Sequence, residues 1–272
     1  MTREQIIGNI KKKQSYLCVG LDTDLQKIPS HLKSSSDPVF EFNRQIIDAT
    51  WPYAVAYKVN TAFYEALGPA GWESLNKTLN YIPADCLRIA DAKRGDIGNT
   101  SAMYAKAFFE QLHADAITVA PYMGEDSVRP FLQFKNKWVI VLAHTSNPGA
   151  ADFQLLESKV TDRKLYEEVI LKAQTWASPD ELMFVVGATQ ADKIKHIRSL
   201  APDYFFLVPG IGAQGGDLGE VSRNALTSQC GLLVNASRSI IYASSGEDFA
   251  HAAAREAQKI QQQMAEYLGQ II

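Results

Sequence analysis

The stretch Asp91-Ala92-Lys93-Arg94-Gly95-Asp96-Ile97-Gly98-Asn99-Thr100 places two carboxylates and an ammonium within six residues. The apolar run before it, 86–90, has the character of a strand, and 101–111 carries apolar residues at helical spacing. If the strand continues to Lys93, then Asp91 and Lys93 point to the same side of the sheet, with Asp96 in the turn beyond. Carboxylates on both sides of Lys93 favour its charged form and fix where its proton points. That suits delivery of a proton to a carbon that has just become negative. A lone Asp-x-Lys is more often a structural ion pair, with the second Asp capping a helix. Buried charge is costly unless paired, so the motif gains meaning only if other polar groups converge on it.

The elements around the motif follow one rhythm. A helix over 2–13 precedes a first strand over 16–21 that ends in Asp22-Thr23-Asp24. Asp37-Pro38 opens a helix to about residue 50, with proline where a helix start tolerates it. Further strands are expected at 53–59, interrupted by Lys58, and at 116–120, 138–143, 182–186, 204–208 and 231–234, with helices between, among them 67–79 and 161–176. Eight apolar strands alternating with helices in about 250 residues predict an α/β fold, a (β/α)8 TIM barrel with an extra N-terminal helix, as one catalytic domain over 1–272. Residues 145–160 form the one long non-strand insert, rich in small residues, and are expected to act as a lid.

In such a barrel the C-terminal strand ends meet at one face, so polar residues far apart in sequence can be pooled. Strand one offers Asp22, strand two Lys58, strand three Asp91 and Lys93, and strand five Ser146; Gln214 and Arg238 follow strands seven and eight. The run Pro209-Gly210-Ile211-Gly212-Ala213-Gln214-Gly215-Gly216 formally contains a dinucleotide fingerprint. It sits at the seventh strand, however, and too little chain follows for a Rossmann unit. A glycine-rich turn after strand seven and Arg238 after strand eight instead fit the usual phosphate site of a barrel, where backbone N–H groups and a guanidinium hold a dianion. The pool therefore points to a small phosphorylated substrate whose other end lies near a Lys/Asp cluster. His144, the one histidine of five near a strand end, is read as structural.

Composition narrows the classes. The 272 residues are 46% hydrophobic, enough for a sizeable core. A net charge of −3 and a pI near 6.0 give no electrostatic reason to expect nucleic acid, and Lys11-Lys12-Lys13 suits the solvated end of the first helix. Cys18, Cys86 and Cys230 are odd in number and widely separated, which suggests neither a disulfide framework nor a zinc site and points to a cytoplasmic protein. The N-terminal residues lack the apolar core of a signal peptide, and no apolar run suits a membrane span.

With these residues assembled, Asp91-Ala-Lys93-Arg-Gly-Asp96-Ile97-Gly-Asn-Thr100 resembles the signature of the orotidine 5'-monophosphate decarboxylase family. Leu17-Cys-Val-Gly-Leu-Asp22, Tyr57-Lys58-Val-Asn, Ser146-Asn-Pro-Gly149, the run from Pro209 to Gly216 and Ser237-Arg238-Ser-Ile-Ile-Tyr fall in family order. The resemblance implies conversion of orotidine 5'-monophosphate to UMP and CO2, the last step of de novo UMP biosynthesis, with no cofactor and no metal. Carried over by position, Lys93 protonates C6 and Asp91 lies near the departing carboxylate, while Lys58 and Asp96 complete a Lys/Asp/Lys/Asp array. Asp22 contacts ribose, Ser146 the pyrimidine, Gln214 bridges base and phosphate, and Pro209 and Arg238 belong to the phosphate end. The family draws Asp96 and Thr100 from the neighbouring subunit, which implies a homodimer with shared active sites. Ser237 stands where glycine commonly precedes the arginine, Asn147 where histidine is frequent and Gly98 for a common proline, which resembles a longer subgroup of the family.

Three other readings share some of these residues. A magnesium-dependent sugar-phosphate barrel of the hexulose-phosphate synthase type has a similar third strand, but Lys58, Lys93 and Gln214 favour the decarboxylase. A metal-dependent hydrolase could draw on Asp22, Asp24, Asp91 and His144, although two strand-end lysines would repel a dication. A barrel that only binds nucleotide would have no need of an intact Lys/Asp set.

Overall fold

The computed structural model describes residues 1–187, 191–210 and 217–271. Eight parallel strands close into a barrel in sequence order: β1 (Leu17–Gly20), β2 (Ala54–Asn60), β3 (Leu87–Arg94), β4 (Ala116–Val119), β5 (Trp138–His144), β6 (Leu182–Val186), β7 (Phe205–Pro209) and β8 (Leu232–Ala236). Closure comes from β1 pairing with both β2 and β8, so neither edge is left open. The strands are buried almost throughout because one face fills the barrel and the other lies under helices. This explains why they read as continuous apolar runs rather than as alternating ones.

Local chemistry sets the helix boundaries. In the Arg3–Lys13 helix, Thr2 and Gln5 form a reciprocal capping box, and Lys11, Lys12 and Lys13 occupy the last turn, where the helix dipole favours cations. Ile6 and Ile10 of that helix are buried. The Pro38–Thr50 helix starts with proline after Asp37, whose carboxylate accepts the Phe40 N–H at 3.1 Å. The Phe249–Leu268 helix buries Phe249, Ala252, Ala253, Ala257, Met264 and Leu268, and Phe249 stacks on Phe42 of the Pro38–Thr50 helix at 5.1 Å.

Three elements depart from the expected bounds. The helix expected over 101–111 begins at Gly98, runs as α-helix to Lys106 and ends in a π-helical turn, Ala107–Gln111. The helix expected from 161 begins at Leu165, because the chain before it forms a small antiparallel bridge between Glu157 and Lys164. The insert after β5 also holds a 3-10 turn, Pro148–Asp152, whose proline fits the first turn. No helix among the described residues is long and apolar enough to cross a membrane.

Candidate active site

The C-terminal strand ends enclose a cleft of about 290 Å3. Asp22, Lys58, Asp91, Lys93, Ser146, Pro209 and Arg238 all line it, so seven expected site residues from six strand ends meet in one place. Gln214 lies outside the described residues, as does most of the glycine-rich run. Asp96 and Thr100 do not line the cleft: Asp96 is half-buried in the turn, its Oδ1 accepting the Ile97 N–H at 2.8 Å, and Thr100 is exposed.

Asp91 is the centre of the cluster. Its Oδ1 accepts from Lys93 Nζ at 2.6 Å and from Thr118 Oγ1 at 2.9 Å, and its Oδ2 accepts from Lys58 Nζ at 2.9 Å. Lys58 Nζ also donates to Asp22 Oδ1 at 3.3 Å. Burial pushes the Asp91 carboxyl up, but Lys58 and Lys93 outweigh that and bring it down to about 2. Burial alone would lower Lys58, and the Asp91 and Asp22 carboxylates reverse this and raise it. Two ammoniums and two carboxylates thus form a fixed lattice whose formal charges cancel. The Lys58 side chain is only 6% exposed while that of Lys93 is 51% exposed, so Lys93 is the cation that a ligand in the cleft would meet.

The expected route from Asp91 to Lys93 along a regular strand is not what the backbone does. Ala90 pairs with Ile117 and Arg94 with Val119, so three residues of β3 bulge opposite one of β4, and Lys93 adopts φ +46°. The two side chains still meet, through the bulge rather than through strand alternation. Arg94 turns away from the cleft, pairs with Glu65 and lies over the Tyr104 and Phe108 rings.

The remaining strand ends are held by polar contacts with the helical layer. Tyr242 OH donates to Asp22 O at 3.1 Å and accepts the Asp24 N–H at 2.7 Å. Tyr64 OH donates to Leu21 O at 3.1 Å, and Thr23 Oγ1 donates to the fully buried Asn43 at 2.6 Å. The Asp22 turn is therefore held at four consecutive residues. Ser146 sits against Gly187, where a Cβ would come within 2.8 Å of the Ser146 nitrogen, so only glycine lets the loop approach β6 this closely. Gln154 of the insert accepts the Thr145 N–H and donates to Thr145 Oγ1, both at 2.8 Å, and so ties the insert to that loop. Ser237 donates to Gly20 O at 3.0 Å, joining the end of β8 to β1 beside the exposed Arg238.

Sequence reasoning missed Thr118, Asn60 and Asn235, the last two lining the cleft. Asn235 is 6% exposed, and its Oδ1 has no partner among the described residues. The available signal was a single polar residue inside a short apolar strand, as in Ala-Ile-Thr-Val and Leu-Leu-Val-Asn-Ala. His144, read from the sequence as structural, is 5% exposed and packs edge-on against Tyr166 at 4.9 Å, and its Nδ1 has no hydrogen-bond partner among the described residues. No group of three or more His, Cys, Asp or Glu placed to hold a metal ion occurs among the described residues.

Similarity to known proteins covers the whole of this architecture. The family model described as orotidine 5'-phosphate decarboxylase / HUMPS matches residues 15–253. An orotidine 5'-phosphate decarboxylase of Phocaeicola vulgatus is 57% identical over 273 residues, covering 99% of this chain and 100% of that one. Among solved structures, an OMP decarboxylase of Leishmania donovani superposes with a TM-score of 0.81 at 36% identity, over 96% of this chain and 99% of that one. The UMP synthase of the same organism gives 0.82 at 38% identity over 95% of this chain and 56% of that one, so the chain spans about half of the length of that protein.

Proposed function

The chain belongs to the orotidine 5'-phosphate decarboxylase family, and from that premise we propose that it converts orotidine 5'-monophosphate to UMP and CO2, the last step of UMP biosynthesis, with Lys93 as proton donor. The observation that carries this reading is the Lys58–Asp91–Lys93 lattice on the floor of the cleft, with Arg238 also on its lining. The substrate carboxylate would enter beside an Asp91 already held ionised. The bond from C6 to the carboxylate breaks, CO2 leaves and the electron pair stays on C6. A fixed cation stabilises that pair, and Lys93 gives its proton to C6 and regains one from solvent. Lys58 holds Asp91 and Asp22 in place, and Asp22 faces the ribose. The phosphate, bound by Arg238 beside Pro209 and with Gln214 reaching it, supplies binding energy remote from the reacting carbon. Ser146 addresses the pyrimidine.

The same reading makes the working unit a homodimer, with the 1–272 chain as one catalytic barrel per subunit. Asp96 and Thr100 lie outside their own cleft, on a segment that also carries Ile97 and Met103, 55% and 52% exposed, and whose Gly95 adjoins Met123, 45% exposed. An exposed apolar surface of this kind favours association, and a second copy seated there could carry Asp96 and Thr100 to the neighbouring cleft. Cytoplasmic residence fits three buried thiols, of which Cys86 and Cys230 are pushed up to about 12 by burial. A magnesium-dependent sugar-phosphate reading is disfavoured because an ammonium already lies between the Asp22 and Asp91 carboxylates.

Absorbance of orotidine 5'-monophosphate with purified protein tests the proposal directly, with and without EDTA. Loss of the substrate signal with UMP formed at an unchanged rate in chelator is the expected result. Absence of turnover in both conditions would overturn it.

A further inference from the structure

We infer that Thr118 is a positioning residue for the Asp91–Lys93 pair, an inference that rests on the decarboxylase reading and adds a residue outside the reacting groups. On β4, Thr118 is the single residue facing the three-residue bulge of β3, and it is 1% exposed. A bulge removes regular ladder hydrogen bonds, and the left-handed backbone of Lys93 is costly for a residue with a Cβ unless its surroundings enforce it. The Thr118 hydroxyl supplies what the ladder lacks. Its oxygen accepts the Lys93 N–H at 2.9 Å, and its proton goes to Asp91 Oδ1, also at 2.9 Å.

One hydroxyl therefore fixes the backbone of the proton donor and the carboxylate that aims its side chain. Asp91 Oδ1 is the same oxygen that receives Lys93 Nζ, and Oδ2 is taken by Lys58, so the carboxylate cannot turn without breaking one of three bonds. Loss of the Thr118 hydroxyl frees both the rotation of Asp91 and the bulge that carries Lys93. The ammonium then spends less time facing C6, which weakens the transition state more than it weakens binding of the nucleotide.

Thr118→Val keeps the shape and removes the hydroxyl, whereas Thr118→Ser keeps the hydroxyl. The measurements are kcat with orotidine 5'-monophosphate, and UMP titration to give both its Kd and the number of intact sites. Thr118→Val is expected to lose about 10- to 100-fold in kcat per UMP-binding site, the range for one hydrogen bond to a charged group, with KM and the UMP Kd within about threefold. Thr118→Ser is expected to recover kcat to within about threefold of wild type. A residue that served stability alone would lower the number of UMP sites and leave kcat per site unchanged. A Thr118→Val kcat per site within about twofold of wild type, or a Thr118→Ser as slow as the valine variant, overturns the inference. If the valine variant binds no UMP, Thr118→Ala reads the same loss by the same two measurements. Failure of the wild-type protein itself to turn over substrate would count against the decarboxylase reading, not against Thr118.

Discussion

Lys58 and Arg198 are both buried cations of this barrel, and their surroundings are opposite. Lys58, at the C-terminal end of β2, is flanked by the carboxylates of Asp91 and Asp22 at 2.9 and 3.3 Å. Arg198, on the Ala191–Leu200 helix, has no carboxylate within salt-bridge distance among the described residues. It donates to the carbonyls of Ala225, Ala201, Tyr204 and Gly231 at 2.6–3.0 Å, with its guanidinium 3.7 Å above the Phe206 ring. Burial lowers both, but carboxylates reverse the sign only for Lys58. A planar guanidinium with several donors can be satisfied by backbone dipoles alone and so staples the loops around β7 and β8. An ammonium held between two carboxylates fixes the position of ionised groups that are costly to bury. Of these two cations, the one away from the cleft is tied down by dipoles and the one on its lining by other charge.

The largest effect expected from breaking this contrast lies at Lys93. Lys93→Ala should abolish decarboxylation and leave the fold intact, checked by substrate absorbance and circular dichroism; substantial turnover by the variant would sink the proton-donor role. Next comes Lys58→Met, which leaves Asp91 and Asp22 without their shared cation. It should reduce kcat by at least about 100-fold and lower stability by about 3–5 kcal/mol in urea unfolding, whereas an unaffected rate would mean that the lattice is not part of the site.

Arg198→Met isolates the other cation. Unfolding should become easier by about 2–4 kcal/mol as the carbonyls lose their donors, while kcat per folded molecule stays within about twofold of wild type. A kcat loss exceeding the loss of folded protein would break the contrast between the two cations. Mixing Lys93→Ala with Asp96→Ala subunits should restore part of the activity that each lacks alone, because one cleft of the mixed dimer carries neither change. No recovery despite proven subunit exchange would count against a shared site.

The smallest effect is in acid. The Asp91 carboxyl is held at about 2 against its usual 3.8, so its stabilisation is complete only above about pH 5, begins to fall near 3.8 and is lost as pH falls through about 2. Urea midpoints of wild type and Asp91→Asn between pH 5 and pH 2 should show an excess acid loss of about 2 kcal/mol in the wild type. Parallel curves would mean that Lys58 and Lys93 do not hold the carboxylate as described.

Much of this was readable from residue types and spacing. Continuous apolar runs between helical segments point to a parallel sheet, because strands covered on both faces have no reason to alternate, and their count of eight points to a barrel. Barrel geometry then gathers Asp22, Lys58, Asp91, Lys93, Ser146, Pro209 and Arg238 at one face, wherever they lie in the chain. The helix at Arg3–Lys13 was equally legible, since its terminal lysines are a local signal.

What the sequence by itself determined was which groups could meet; the tertiary structure decided how they meet. A bulge is invisible in the string Asp-Ala-Lys-Arg because it depends on the register against β4, set by packing around the whole barrel. Thr118 becomes significant only when that register puts its hydroxyl opposite Lys93 and Asp91. In the same way Asn43 and Tyr64 look like ordinary helix residues, and Tyr242 like an ordinary turn residue after the Arg238–Ile241 helix, until packing lays them against the Asp22 turn. Periodicity reports which face of an element is buried, whereas hydrogen bonds between elements depend on positions to within a few tenths of an ångström, which only the packed molecule defines.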